Sequence, residues 1–458
     1  MKEVSRKETT NTNTTKNPTN TNTTKNPTNT TEQIISKLHT HILLCKKAKK
    51  HIPPYHPIDF NHFHPPNFHY ITRPIQKYIH SLHKVGRGYK LYFNGNRVIN
   101  IYIIIPSYKV SKKTSKYHKV QRNKTTKHRP HHPPSSPPSP HNNMNVLFKG
   151  FFHSIHTIIS LFIKEKGSLE SEHTNVIDDL TDTQTPLPFP TCSTDLSIYL
   201  YLTDLKKTLP SKVAHTDLKE ENVNTGFTFG CSLKNQIYIY REEEWEKVLI
   251  HELIHAFGLD FASNDELNTI ANKRAMSYFG INHTEHKYLR LYEAYTETWA
   301  DILYVLLKNA DVRRGQRSEG KVSYLMKQVR VQQDWAIRQY VKIMSFYGLN
   351  VISSTPDFKE KEKSLILKQQ LTLYSYYILK ARLLFNIASF FEFLTKTKDT
   401  TTFISIIEFV KTEEAILQFT DFVFDDLYRE NKAFEMSVKM SYKKHRNSKF
   451  NNSLRMTI

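Results

Sequence analysis

Two histidines and a glutamate stand within WEKVLIHELIHAFGLD (Trp245–Asp260). Between Val248 and Phe257 they are the only polar side chains, His251, Glu252 and His255, in a run that is apolar on every face of a helix. Such a helix belongs inside a core. Burying two imidazoles and a carboxylate without partners is costly, so something must satisfy them. Histidines four residues apart on a helix project toward a common point. A zinc ion is the partner that this HExxH spacing suits. Glu252, about 100° round the helix from His251, then lies beside the metal rather than on it. There it is placed to act as general base on a water that the metal activates.

A zinc held by two histidines needs a third protein ligand, with one position left open. RLYEAYTETWADILYVLLK (Arg290–Lys308) offers Glu293, Glu297 and Asp301, each four residues on and so on one helical face. From Trp299 to Leu307 every residue except Asp301 is apolar, tyrosine or alanine. Asp301 is therefore expected to be buried and to need a partner, such as the free N–H of a ligating histidine. That favours Glu297 as ligand with Asp301 as its supporting carboxylate, over Glu293 as ligand. A ligand just after the motif helix is disfavoured: in HExxHxxGxxH/D spacing the position falls on Phe261, and Asp260 misses it by one residue. His283, His286, Tyr376, Tyr377 and Arg382 are chemically able to stabilise an oxyanion, and the sequence does not choose among them.

The elements that must position these residues read as α+β. Glu242–Glu244 are expected in the first turn of the motif helix, where its dipole favours acids, and Gly258 is placed to end it. Upstream, LSIYLYL (196–202), GFTF (226–229) and QIYIY (236–240) alternate as strands, and 89–93 with 97–105 flank Asn94-Gly95-Asn96 as a hairpin. An antiparallel or mixed sheet thus leads into the active-site helix. Downstream, 290–308, 323–347, 360–394 and 402–428 carry helical patterns, while the polar stretch 260–289 reads as loop with short helical pieces.

The residues here resemble a known group. HELIH followed by ETWAD looks like the gluzincin metallopeptidases, whose pattern is HExxH and then a ligating Glu four residues before an Asp. IYLYLTDLKKTLP (198–210), NVNTGFTFG (222–230), QIYIYREEEWEKVLIHELIHAFGLDF (236–261) and YSYYILKARLLF (374–385) together resemble the uncharacterised zincin-like proteins of nucleocytoplasmic giant DNA viruses. The resemblance implies a zincin-like fold, a peptide or protein substrate, Zn²⁺ on His251, His255 and Glu297, Glu252 as general base and Asp301 in support. An edge strand at 226–229 would bind an extended substrate by strand addition.

Charge and composition divide the 458 residues differently. Residues 1–145 carry a net +21 and the remainder +1, so the basicity lies outside the site-bearing body. Residues 1–85 open on two copies of NTNTTKNPT and continue through a His/Pro-rich stretch; they read as a mostly disordered tail whose removal would leave the site intact. The zincin-like domain is expected at 86–435, with a disordered basic, Pro-rich insertion at 107–145, and 436–458 as a basic tail. Residues 1–145 could also grip nucleic acid or another polyanion nonspecifically. A metal site without turnover, in a structural or virion-associated protein, is the other alternative. Cys45, Cys192 and Cys231 are too widely spaced to suggest a disulfide framework, which suits a reducing, intracellular setting. No secretory signal or membrane span is visible: 146–163 is short and carries Lys149, His153 and His156.

Overall fold

Alternating apolar and aromatic residues build a six-stranded mixed sheet in the order β1-β2-β3-β4-β6-β5. The strands are β1 (Tyr55–Pro57), β2 (Lys84–Phe93), β3 (Arg97–Pro106), β4 (Asp195–Tyr201), β5 (Gly226–Thr228) and β6 (Lys234–Ile239). The computed structural model describes residues 27–48, 52–93, 97–109, 140–163, 192–210, 217–282, 289–311, 320–349, 351, 358–368, 371–429, 432–445 and 453–457. The expected hairpin is present as the antiparallel pair β2–β3, closing at Phe93 opposite Arg97; its Asn94–Asn96 turn lies outside the described residues. β3–β4 and β4–β6 are parallel, and β5 pairs antiparallel with β6 at the sheet's edge.

Period-two alternation sends the two faces of the sheet into separate cores. Ile99, Ile101, Ile103, Leu196, Ile198, Leu200, Ile237 and Ile239 enter the main core with the helices. On the other face Tyr102, Tyr199, Tyr238 and Phe227 are cross-strand neighbours. Their rings stack in a continuous ladder, with centroids 4.9, 4.7 and 4.8 Å apart. A slip of one residue would carry every tyrosine into the aliphatic core, so the ladder pins the register out to the edge strand.

Helices cover the main-core face and form the second half of the chain. Pro140–Phe162 and the motif helix Trp245–Ala256 pack together there, and the motif helix packs on β6. Leu291–Asn309, Lys321–Phe346 and 371–385 complete the surround, the last containing a π-helical turn at Tyr374–Leu379. The stretch read as a loop at 260–289 instead contains a 14-residue helix, Asp265–Tyr278, capped by the Asn264 side chain on Leu267 N. The pattern read as one helix at 360–394 is divided into Phe358–Leu367, 371–385 and Ile387–Thr397. Among the described residues no helix is long and apolar enough to cross a membrane.

The ends of the chain differ from expectation. Within the supposed tail 1–85, helix Pro27–Lys47 buries Ile34, Ile35, Leu38 and Ile42 against Leu291–Asn309, Lys321–Phe346 and Ile387–Thr397. Residues 55–81 cover the tyrosine face through Ile71, Ile75 and Ile79. Polar composition concealed a helical apolar stripe, and burial of that stripe outweighs composition. Within the supposed insertion, helix Pro140–Phe162 begins by residue 140, and 110–139 lie outside the described residues. At the other end, helix Lys432–His445 forms and Leu454, Met456 and Thr457 are buried, so the described residues of the supposed basic tail 436–458 pack on the body; 446–452 and 458 lie outside the described residues. Cys192 and Cys231, 39 residues apart, are joined as a disulfide with Cα atoms 4.9 Å apart, because the parallel pairing of β4 and β6 brings their leading ends together.

Candidate metal centre

The motif helix is buried along its whole length from Trp245 to Ala256 apart from half-exposed Glu246. It begins one residue after the acidic run: Glu244 is the cap residue, with φ +62°, and is itself buried. The acids expected in the first turn serve as anchors instead. Glu242 pairs with Lys109, Glu243 accepts from Lys207 N at 2.8 Å, and Glu244 lies 3.3 Å from Lys207 Nζ. Gly258, at φ +64°, ends the helix as expected, with Gly258 N on His255 O and Leu259 N on Ile254 O, both at 2.9 Å.

Helix Leu291–Asn309 lays its acidic face against this helix, one turn out of the expected register. Glu293 Oε2 is 3.3 Å from both His251 Nε2 and His255 Nε2, which are 2.9 Å from each other. Glu297, expected as the third ligand, sits on the opposite nitrogen: its Oε1 is 3.0 Å from His251 Nδ1, and its Oε2 binds Lys247. Asp301 is buried, as expected, yet touches neither histidine. It pairs with Lys380 at 3.0 Å and accepts from Gln332 Nε2 at 3.1 Å. Buried lysines thus claim the two carboxylates nearer the apolar run, and the free acid one turn earlier meets the imidazoles.

Asp260 does hold a histidine, though not through a metal. Its carboxylate faces His255 Nδ1 and also accepts from Thr296 Oγ1 at 2.8 Å and Ala262 N at 3.2 Å. A carboxylate lies beside each Nδ1: Asp260 is bonded to that of His255, while Glu297 Oε1 stands 3.0 Å from that of His251 without hydrogen-bond geometry. Three ligand-capable atoms, two Nε2 atoms and Glu293 Oε2, converge in a buried space, and Glu293 Oε2 has no hydrogen-bond partner. Such a set calls for a cation. The same groups also shift one another's titration. Burial works against protonating His251, but Glu297 outweighs it and raises the imidazole above its ordinary value; Asp260 and then Glu293 do so more strongly for His255. Burial would raise Glu293 and Glu297, yet His255 holds the first, and Lys247 the second, well below the carboxylate range. Two imidazoles and a carboxylate fit zinc and are not peculiar to it.

Glu252 projects into a narrow crevice that it lines with Gly226, Val248, His251, Tyr376 and Met456. Among the described residues no hydrogen bond engages it, and burial raises its carboxyl above the ordinary value. Gly226 opens the edge strand β5, where a Cβ would stand 2.5 Å from Tyr238 O and 3.1 Å from Val248 Cγ1. Of the five oxyanion candidates, Tyr376 alone is found in this crevice, its ring 6.2 Å from that of His251. Tyr377 donates to Leu454 O at 2.9 Å, Arg382 is committed to Glu362 at 2.7 Å, and His283 and His286 lie outside the described residues.

Sequence reasoning passed over Lys247, a lysine at the very start of the apolar run, which was itself a signal. Asp260 was weighed only as a ligand. Lys380 and Met456 left no signal, since only folding brings them near. No protein-family model, no curated protein and no solved structure matches this chain.

Proposed function

We propose that this chain is a zinc-dependent peptidase of the zincin-like, gluzincin type, with His251, His255 and Glu293 as metal ligands and Glu252 as general base. The observation that carries the reading is the convergence of His251, His255 and Glu293, whose ligand-capable atoms lie within 4.8 Å of one another, beside a crevice lined by Glu252. Zinc bound there would polarise a peptide carbonyl and acidify a water. Glu252, its carboxyl raised by burial, takes the proton of the attacking water and returns it to the leaving amine. Asp260 orients the His255 imidazole through its bond to Nδ1, and Glu297 flanks Nδ1 of His251 at 3.0 Å. Tyr376 is the group we assign to the developing oxyanion. The outer edge of β5 takes an extended substrate by strand addition.

Metal analysis of the purified chain beside three variants tests the proposal. Wild type and Glu252→Gln are expected to hold about one zinc per chain, with peptide hydrolysis lost only in the second. His251→Ala and Glu293→Ala are expected to hold little metal. Full zinc in Glu293→Ala sinks the ligand set; zinc without hydrolysis in wild type leaves a structural metal site.

A further inference from the structure

The residues after 452 bring a side chain into the crevice from a part of the chain far from the motif. Segment Ser453–Thr457 runs behind the metal centre and is fastened at every residue. Lys342 donates to Ser453 O, Leu454 N donates to Lys207 O at 2.8 Å, and Tyr377 donates to Leu454 O at 2.9 Å. Trp335 Nε1 reaches Arg455 O at 3.1 Å, Gln332 Nε2 reaches Met456 O at 2.7 Å, and Thr457 Oγ1 donates to Glu244 at 2.8 Å. Met456 is 2% exposed, with its sulfur 3.6 Å from Lys247 Nζ, and it lines the crevice together with Gly226. The thioether therefore hangs from a fixed backbone.

We infer that Met456 sets the size of the substrate side chain accepted beside the cleaved bond, restricting it to Gly, Ala or Ser. The inference rests on the peptidase reading and adds its specificity. A strand added to β5 sends alternate side chains toward the motif helix. One that enters the crevice lined by Gly226, Val248 and Met456 meets the thioether. The free space there is about 20 Å³, room for one water or a methyl group. A valine or leucine must displace the thioether, and each methylene-sized mismatch in such a pocket discriminates by about tenfold or more.

The test uses zinc-loaded full-length protein and peptide hydroxamates that differ only in an Ala, Val or Leu side chain, read by calorimetry, with a peptide library read for hydrolysis. Wild type is expected to bind the Ala probe at least about tenfold more tightly than the Leu probe. Met456→Ala should shrink that ratio about tenfold or more, and Met456→Leu, of similar volume, should keep it. Val248→Ala opens the same pocket at another lining residue and should move the ratio the same way, which covers the case of Met456→Ala failing to fold. Equal affinities in wild type, or an unchanged ratio in whichever of these two opening variants retains zinc, overturns the inference. Size-selective binding without hydrolysis supports the pocket and counts against turnover alone. A zinc-loaded wild type that binds neither probe overturns both readings.

Discussion

At the scale of single residues, the site turns on which of three carboxylates the buried lysines leave free. Glu293, Glu297 and Asp301 stand one turn apart, and Lys247 and Lys380 between them take the last two. Glu297→Ala is thus expected to weaken zinc binding by roughly 10–100-fold through His251, not to abolish it, and Asp260→Ala to do the same through His255. Competition with a chelator of known affinity measures both. Complete loss of metal in Glu297→Ala would restore Glu297 to the ligand set. Glu297→Ala should also lower stability, because it strips Lys247, 0% exposed at its side chain, of its nearest counter-charge. HELIH was legible because polar side chains inside an apolar helix demand an explanation. The choice of third acid was not, since all three share one face and the deciding lysines come from other helices.

At the scale of elements, the motif helix owes its end to Gly258. A Cβ there would meet Cys192 Sγ and Cys231 Cβ, each at 3.0 Å, besides forcing a side chain into left-handed backbone. Gly258→Ala is expected to cost about 1–2 kcal/mol or more in denaturant unfolding, and less change than that would mean the turn relaxes. Strands β2 to β6 were readable from their sequence patterns, and the β2–β3 hairpin from Asn94-Gly95-Asn96, whereas β1 lay in the stretch read as a tail. The parallel order of β3, β4 and β6 was not readable, because alternation fixes faces and leaves neighbours open. The division of the 360–394 pattern into separate helices was likewise hidden, since the stretch contains neither proline nor glycine to mark a break.

At the scale of the whole molecule, order begins well before the hairpin. Removing residues 1–26 is expected to change neither zinc content nor thermal midpoint. Removing 1–48 also deletes Ile34, Ile35, Leu38 and Ile42 from the core, each worth about 1.5–3 kcal/mol on burial, and should lower the midpoint markedly. Equal midpoints for the two truncations would show that the helix is dispensable. The feature with the widest reach is the fastened segment at 453–457. The metal-centre acceptors are all in the chain by Glu293, yet the wall that Met456 supplies belongs to residues made about 160 positions later. At about 5–20 residues per second, synthesis leaves that crevice unfinished for roughly 8–30 s. A nascent chain therefore carries the His251, His255 and Glu293 cluster for a large part of its synthesis with the crevice beside it still open on one side.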